Sequence, residues 1–318
     1  MAGLAFDDTA QISLGVEFSK HYILMKPLFL NSAPNAKRRN LGGVLDRRCR
    51  YCRKPEPLVT FKNRSHAIPA QLGNKILFDN LECDTCNAHF GKYLEDGFAK
   101  FINPYLAFFR TRGRVGIPTH NDKELRVATV DNGLKISLKT AEELDRRSST
   151  GSGLNIVTFV PERQAYYPSS VLKTFIKIGL ALMPDSESFS ADHLLFWLLE
   201  ESYDPLYSGV DIIQWSLPGP LNPNLIRGGL YKARPEFWSS HFNYILVLTV
   251  GNLQFQIIIP AADEAALPKS MLIAPVFRPP GYAKYGDSVM RYVDLTSAEQ
   301  IFNEKVEVRI AFSSVEEI

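Results

Sequence analysis

The chain has 318 residues, of which 45% are hydrophobic and 22% are charged, and its formal net charge is +2. This is ordinary globular composition, sufficient for a hydrophobic core in one large domain or two smaller ones. No apolar run reaches the roughly 20 residues of a membrane helix, and the acidic start MAGLAFDDTAQISLG does not resemble a secretory signal. We therefore expect a cytoplasmic protein with no membrane segment.

The first residues of the chain give the weakest structural signal. SKHYILMKPLFL could form a strand or a short helix, and NSAPNAKRRNLGG after it carries the Pro, Asn and Gly of a linker. We predict an N-terminal extension or linker over residues 1–40.

Residues 41–114 contain every cysteine of the chain, in two C-x-x-C pairs separated by thirty residues: Cys49, Cys52, Cys83 and Cys86. Each C-x-x-C turn presents two thiolates together, and two such turns supply the four corners of a tetrahedral Zn²⁺ site. A redox role is disfavoured because it needs one C-x-x-C at a helix start in a thioredoxin-like unit. We predict a structural zinc ion, in a reducing compartment, with no open coordination position.

Positive charge is concentrated around the first cysteine pair. Residues 37–64 carry ten basic side chains against two acidic ones, which makes this segment +8 and the rest of the chain −6. A solvated charged surface is the alternative, but the overlap with a candidate site favours a polyanionic partner. The residues expected to contact a nucleic-acid backbone are Arg47, Arg48, Arg50, Arg53, Lys54 and Arg64.

A longer motif lies between and after the cysteine pairs. NAHFGKYLEDGFAKFI predicts a helix with Phe90, Leu94, Phe98 and Phe101 on one face, which places Asn87 in its first turn. Together, CRYC, SHAIPAQLG and DNLECDTCNAHFG, spread over residues 49–102, resemble the zinc-stapled HNH endonucleases. The order and spacing of these parts make the resemblance more specific than the cysteine pairs alone.

The resemblance implies a ββα-metal fold, in which a β-hairpin and a helix surround one catalytic divalent ion (Mg²⁺, Mn²⁺, Ni²⁺ or Zn²⁺). His66 matches the general base, and Asn80 matches the asparagine that orients this base through a hydrogen bond. Asn87 matches a ligand of the catalytic metal. These roles suit phosphodiester hydrolysis, because an imidazole can take a proton from water near neutral pH and a metal ion stabilises the developing charge.

Ser65 departs from the family pattern. It stands where the family usually has an acidic residue or a histidine as a further ligand of the catalytic metal, and a neutral hydroxyl is a weaker ligand. Three alternatives stay open: Ser65 binds the metal through water, another group such as His89 or Asp84 replaces it, or the site binds metal poorly and is weakened or inactive.

Residues 115–318 predict an α+β domain with a largely antiparallel sheet. KELRVATVDNGLKISLK predicts a hairpin around Asn132 and Gly133, and residues 168–184 predict a helix capped by Ser169 or Ser170. SADHLLFWLLEES predicts another helix, capped by Ser190. Further strands are predicted in NIVTFVP, DIIQWSL, FNYILVLTV, LQFQIIIP, MLIAP and KVEVRIAF.

These observations favour a metal-dependent HNH endonuclease that cuts DNA, with double-stranded DNA as the expected substrate. Residues 115–318 would supply substrate choice, activation or oligomerisation, for example in defence against foreign DNA, and a homodimer remains open. The alternative is a catalytically weak or inactive zinc module that binds nucleic acid or a protein.

Overall fold

The computed structural model describes residues 3–33, 35–131, 133–139, 147–149, 155–184, 187, 191–206, 211–219, 223–261, 269–276, 278–279 and 281–312. Its helices are α1 (Asp8–His21), α2 (Asp84–Phe90), α3 (Asp96–Phe108), α4 (Pro168–Leu182) and α5 (Asp192–Leu199). A π-helical turn, Gly91–Glu95, joins α2 to α3. No helix in the described ranges is long and apolar enough to cross a membrane.

The strands fall into one large sheet and several small ones. They are β1 (Leu4–Phe6), β2 (Tyr22–Asn31), β3 (Arg39–Leu41), β4 (Ser65–His66), β5 (Leu77–Asp79), β6 (His120–Asn121), β7 (Leu125–Val130), β8 (Gly133–Leu138), β9 (Arg147–Ser149), β10 (Asn155–Phe159), β11 (Asp211–Ser216), β12 (Leu225–Ala233), β13 (Tyr244–Val250), β14 (Leu253–Ile259), β15 (Ser288–Asp294) and β16 (Val308–Phe312). The small sheets have the orders β3-β5-β4, β6-β7-β8 and β16-β10-β9.

The large sheet has seven strands in the order β1-β15-β11-β14-β13-β12-β2, and all neighbours are antiparallel. Its central strands β13 and β14 are buried along their whole length. One face contacts α4, and on the other Val247 packs with Phe18 of α1 and with Ala274. Because both faces are covered, these strands are continuous hydrophobic runs rather than alternating ones.

The predicted zinc module, residues 41–114, contains a hairpin followed by a helix. β5 pairs antiparallel with β4 and parallel with β3, and the chain then enters α2 at Cys83. The predicted core stripe of Phe90, Leu94, Phe98 and Phe101 is fully buried. The predicted fold class is therefore confirmed: an α+β chain with a largely antiparallel sheet.

Helix α4 holds the two parts of the chain together. Every residue of α4 is buried, because it lies between the zinc module's helix and strands β12, β13 and β14. At its N-terminal end it approaches α3 so closely that a Cβ on Gly97 would lie 2.0 Å from Ser170 Oγ. One hydrophobic cluster runs without interruption from Cys49 and Phe90 to Phe255. The predicted boundary near residue 114 is thus crossed by a shared core.

Several predicted elements have the expected type. β7 and β8 form the predicted hairpin, with Asn132 outside the described residues, and β13 and β14 are joined by the tight Gly251–Asn252 turn. The strands predicted in NIVTFVP and DIIQWSL correspond to β10 and β11, and the last predicted strand is shorter, as β16.

Other predictions need correction. The N-cap of α4 is Tyr167, because Pro168 at the first helical position begins the helix before Ser169 and Ser170. MLIAP forms no strand, since the side chains of Gln254 and Gln256 satisfy its backbone groups. The cap predicted at Ser190 lies outside the described residues.

The N-terminal segment also differs from its prediction. Residues 4–31, expected as an extension or linker, supply β1 and β2 to the two edges of the large sheet. SKHYILMKPLFL therefore resolves mainly as a strand, β2, whose partner β12 lies about two hundred residues later in the chain.

Candidate active site

The four cysteine sulfur atoms all lie within 4.8 Å of one another. Cys49 Sγ is 3.7 Å from Cys86 Sγ, and Cys52 Sγ is 3.8 Å from Cys83 Sγ. Adjacent sulfurs of a tetrahedral zinc site with Zn–S bonds of 2.3 Å lie about 3.8 Å apart. The cluster is therefore positioned to hold a metal ion such as zinc, as the cysteine spacing predicted.

A buried asparagine fixes the loop between β4 and β5. Asn74 Nδ2 donates to the carbonyl oxygens of Ile68 and Leu77, each at 2.8 Å, and Oδ1 accepts from the amides of Ile76 and Leu77. These four bonds satisfy the amide's hydrogen-bonding capacity and connect the loop after β4 to the start of β5. Asn74 was missed from sequence, where Gly73-Asn74 reads only as a turn signal.

A cavity of about 640 Å³ opens between the hairpin and the helix. His66 of β4 lies in one wall, and the segment Gly113–Pro118 forms another. The helix contributes residues spaced by four: Asn87, Gly91, Glu95, Ala99 and Asn103. The structure therefore brings two of the predicted site residues, His66 and Asn87, to the same cavity from separate elements.

The environment of His66 favours the neutral form of its imidazole. It is half-buried, its ring packs on Phe78 with centroids 4.7 Å apart, and its Nδ1 has no hydrogen-bond partner among the described residues. Burial lowers the pKa of His66 below its usual value of 6.5, although the nearby charge of Glu95 opposes this shift. At pH 7 the imidazole is therefore mainly neutral and can accept a proton.

Ser65 does not share the cavity with its neighbour, which corrects its prediction as a ligand of the catalytic metal. Successive side chains of a strand point to opposite faces. Ser65 is 1% exposed, its Oγ donates to the carbonyl of Glu82 at 3.4 Å, and it is absent from the described lining of the cavity.

Buried charges lie behind the cavity. Lys177 Nζ of α4 lies 3.1 Å from Glu82 Oε2 and 3.4 Å from Glu95 Oε1. Burial raises the pKa of Glu82 to about 7, against the effect of Lys177. Burial alone would lower the pKa of Lys177, but the two carboxylates raise it above its usual value. Sequence analysis did not find this group, because Lys177 stands almost a hundred residues from its partners.

Asn80 is not hydrogen-bonded to His66 anywhere in the part of the chain that the structure describes. Its backbone amide donates to Leu41, at 2.9 Å, and its Nδ2 donates to Gly42, at 3.2 Å. Asn80 thus fastens the end of β5 to the segment after β3, and any effect on the position of His66 passes through the small sheet. The structure thus shows hydrogen bonds from Asn80 to Leu41 and Gly42 in place of the predicted hydrogen bond from Asn80 to His66.

The predicted nucleic-acid contacts have different environments. Arg50 is a correction: it is 6% exposed and lies 3.5 Å from the buried carboxylate of Asp79, so it cannot reach a substrate phosphate. Arg47 pairs with Glu56, and Arg53 pairs with Asp192 of α5. The remaining three, Arg48, Lys54 and Arg64, are exposed.

Two arginines flank the cavity itself. Arg64, one of the predicted contacts, and Arg114, from FRTRGR, are both exposed and both line the opening. Arg114 was noticed in sequence as part of a basic stretch but was not assigned to the site, because only folding brings residues 113–118 next to β4.

Neither sequence neighbour proposed to replace Ser65 lines the cavity. Asp84 accepts hydrogen bonds from Thr60 and from the amides of Lys62 and Asn63; these lower its pKa, although burial acts in the opposite direction. His89 hydrogen-bonds the carbonyl of Leu198 at 3.2 Å. Both side chains have structural partners elsewhere.

The hairpin, the helix and the cysteine cluster define a small ββα module whose cysteines are positioned to hold a metal ion. Residues 49–102 match a family model described as HNH endonuclease, which confirms the resemblance inferred from the motifs. The match covers less than a fifth of the 318 residues. Neither the comparison with curated proteins nor the comparison with solved structures found a match.

Proposed function

We propose that this protein is a metal-dependent HNH endonuclease that hydrolyses phosphodiester bonds of double-stranded DNA. The observation that carries the proposal is the cavity shared by His66 and Asn87, which come from the hairpin and the helix of a segment matching the HNH family. Its oxygen donors suit a hard divalent cation, because the Asn87 amide and the Glu95 carboxylate line the same wall.

Each residue has a distinct task in this proposal. His66, neutral at pH 7, accepts a proton from the attacking water. Asn87 would hold the divalent ion through its side-chain oxygen. Such an ion supplies positive charge at the phosphate and at the departing oxygen. Arg64 and Arg114, both exposed at the cavity, bind neighbouring phosphates of the strand.

A plasmid assay tests this function. We expect the zinc-loaded full chain to cleave supercoiled plasmid in Mg²⁺, Mn²⁺ or Ni²⁺, and His66→Ala to lose about 10²- to 10⁴-fold of the rate, since general-base catalysis contributes that much. His89→Ala is the matched control, because it removes an imidazole from the same module but outside the cavity. The ratio of nicked to linear product reports whether one or both strands are cut in a binding event, and sedimentation of the full chain tests for the proposed homodimer.

The opposite outcome supports a different function. If the wild type cuts neither DNA nor RNA with any of these metals but binds nucleic acid in a salt-sensitive manner, the chain is a non-catalytic zinc module. Equal cleavage by wild type and His66→Ala would show that His66 is not the base.

We also propose that residues 115–318 control substrate choice or activation in the cytoplasm. The support is physical contact: Lys177 of α4 reaches Glu95, which lines the cavity. A change in the packing of α4 would therefore alter the contact between Lys177 and Glu95 at the candidate site.

A further inference from the structure

We propose that Glu95 is the anionic ligand of the catalytic divalent metal, in the place that Ser65 leaves without an acid. The proposal deepens the function proposed above and rests on it, since it concerns the metal of the same cavity. Asn87 and Glu95 would together supply the protein's oxygen ligands.

The lining of the cavity singles out Glu95. Among the described residues of that lining, Glu95 is the sole carboxylate. The neighbouring acids are committed elsewhere: Asp84 to the segment at residues 60–63, Glu82 to Lys177, and Asp79 to Arg50. A catalytic metal in this cavity therefore has one carboxylate within the described wall to bind.

The helix geometry explains how Glu95 comes to share a wall with Asn87. At 3.6 residues per turn, eight residues of uninterrupted α-helix would leave the two side chains about 80° apart around the axis. The π-helical turn Gly91–Glu95 uses more residues per turn, which rotates Glu95 back towards the face of Asn87. Gly91 lies between them, and a Cβ built there would meet no atom within 4 Å, so the space beside the two side chains is open.

The carboxylate is held from behind. Glu95 Oε1 accepts a hydrogen bond from Lys177 Nζ, and its backbone carbonyl accepts one from Gln71 Nε2. Its side chain is 32% exposed, and its other oxygen, Oε2, has no hydrogen bond among the described residues. One oxygen is thus fixed while the second is available to a cation, and carboxylate with amide oxygen is a donor set that Mg²⁺ and Mn²⁺ accept.

Calorimetric titration of the zinc-loaded full chain with Mn²⁺, in the absence of nucleic acid, tests the assignment. We expect Glu95→Gln to weaken Mn²⁺ binding at least about tenfold, because even the outer partners of metal ligands are worth about 10- to 100-fold in affinity. Asp96→Asn is the matched control: it makes the same chemical change one residue later, on a side chain that is 63% exposed and pairs with Lys100. It should bind Mn²⁺ like the wild type.

Glu95→Asp is a second variant that keeps the negative charge but shortens the side chain by one methylene. Weaker binding by this variant supports the proposal even if Glu95→Gln proves unstable, which zinc content and melting temperature will reveal. Wild-type affinity in both Glu95 variants, or no Mn²⁺ binding by the wild type, overturns it.

The two proposals fail in different ways. Cleavage by the wild type together with unchanged Mn²⁺ affinity in Glu95→Gln would reject the ligand and leave the nuclease standing. Loss of Mn²⁺ binding in Glu95→Gln without any cleavage by the wild type would keep the metal site and reject the nuclease.

Discussion

Ser65 and His66 are neighbours in the chain, but their side chains leave β4 on opposite faces. His66 enters the cavity, whereas Ser65 is 1% exposed and lies opposite Asp79 in the small sheet. An acid at position 65 would therefore lie beside Asp79 and Glu82, and not beside the substrate. A small neutral side chain such as serine suits this interior position.

Restoring the family's acid should accordingly harm the protein. We expect Ser65→Asp to lower the free energy of unfolding by roughly 3–5 kcal/mol, because an unpaired charge is buried next to carboxylates, and not to increase Mn²⁺ affinity. Ser65→Ala removes only one long hydrogen bond and should cost about 1 kcal/mol or less. Urea unfolding and Mn²⁺ titration measure both effects. A stable Ser65→Asp protein with tighter Mn²⁺ binding would place position 65 in the metal site after all.

At the residue scale, the motif correctly predicted that the four cysteines cluster, while the catalytic roles of His66 and Asn87 stay predictions. His66 and Asn87 meet at one cavity and the four cysteines cluster. The proposed role of Glu95 as a metal ligand could not be predicted from the motif. In sequence it is one of two adjacent acids on a helix, and only the π-helical turn and Lys177 distinguish it from Asp96.

At the scale of elements, the cysteine cluster and the candidate active site are joined by α2. Cys83 is the N-cap residue of this helix, Cys86 lies in its first turn, and Asn87 follows directly. The backbone N–H of Asn87 donates a hydrogen bond to the backbone carbonyl of Cys83 at 2.9 Å. The position of Asn87 in the cavity therefore depends on the cysteine cluster.

A substitution that prevents zinc binding should lower the cleavage activity, although it changes no residue that lines the cavity. We expect Cys83→Ser to abolish zinc binding and to lower the melting temperature by about 10 °C or more. Without the metal, the free energy of unfolding falls by several kcal/mol, and each kcal/mol corresponds to about 2–4 °C. Cleavage should fall in parallel. Thr85→Ser, on an exposed side chain of the same turn, is the control. Metal analysis, thermal melting and the plasmid assay measure these outcomes; full activity in a zinc-free protein would contradict the dependence.

Whole-molecule organisation is set by α4. This helix is buried on all sides and carries Lys177 to the rear of the module, where it contacts Glu82 and Glu95. The module that matches the HNH family therefore shares its core and one of its charged groups with the rest of the chain.

Removing the charge of Lys177 should show how strongly the stability of the protein depends on its contacts with Glu82 and Glu95. We expect Lys177→Met to lower the free energy of unfolding by roughly 3–5 kcal/mol, since it leaves the buried Glu82 carboxylate without its partner. Adding Glu82→Gln should recover a large part of that loss, because the unpaired charge is removed. Lys173→Met, one turn earlier on α4, removes two hydrogen bonds to backbone carbonyls and a cation–π contact with Trp197, but no ion pair among the described residues, and should cost about 1–3 kcal/mol. Equal losses in the two lysine variants would argue against the charge network.

The sequence by itself determined the local features: the cysteine cluster, the helix that follows it, and the hairpin of β7 and β8. These depend on spacing within about forty residues, which turn chemistry and side-chain periodicity fix. Tertiary structure alone decided the rest. It turned Ser65 away, brought Arg114 and Glu95 to the cavity, and placed Lys177 behind it. Those contacts arise when separate elements pack on a common core, and no local pattern in the chain encodes which side chains then meet.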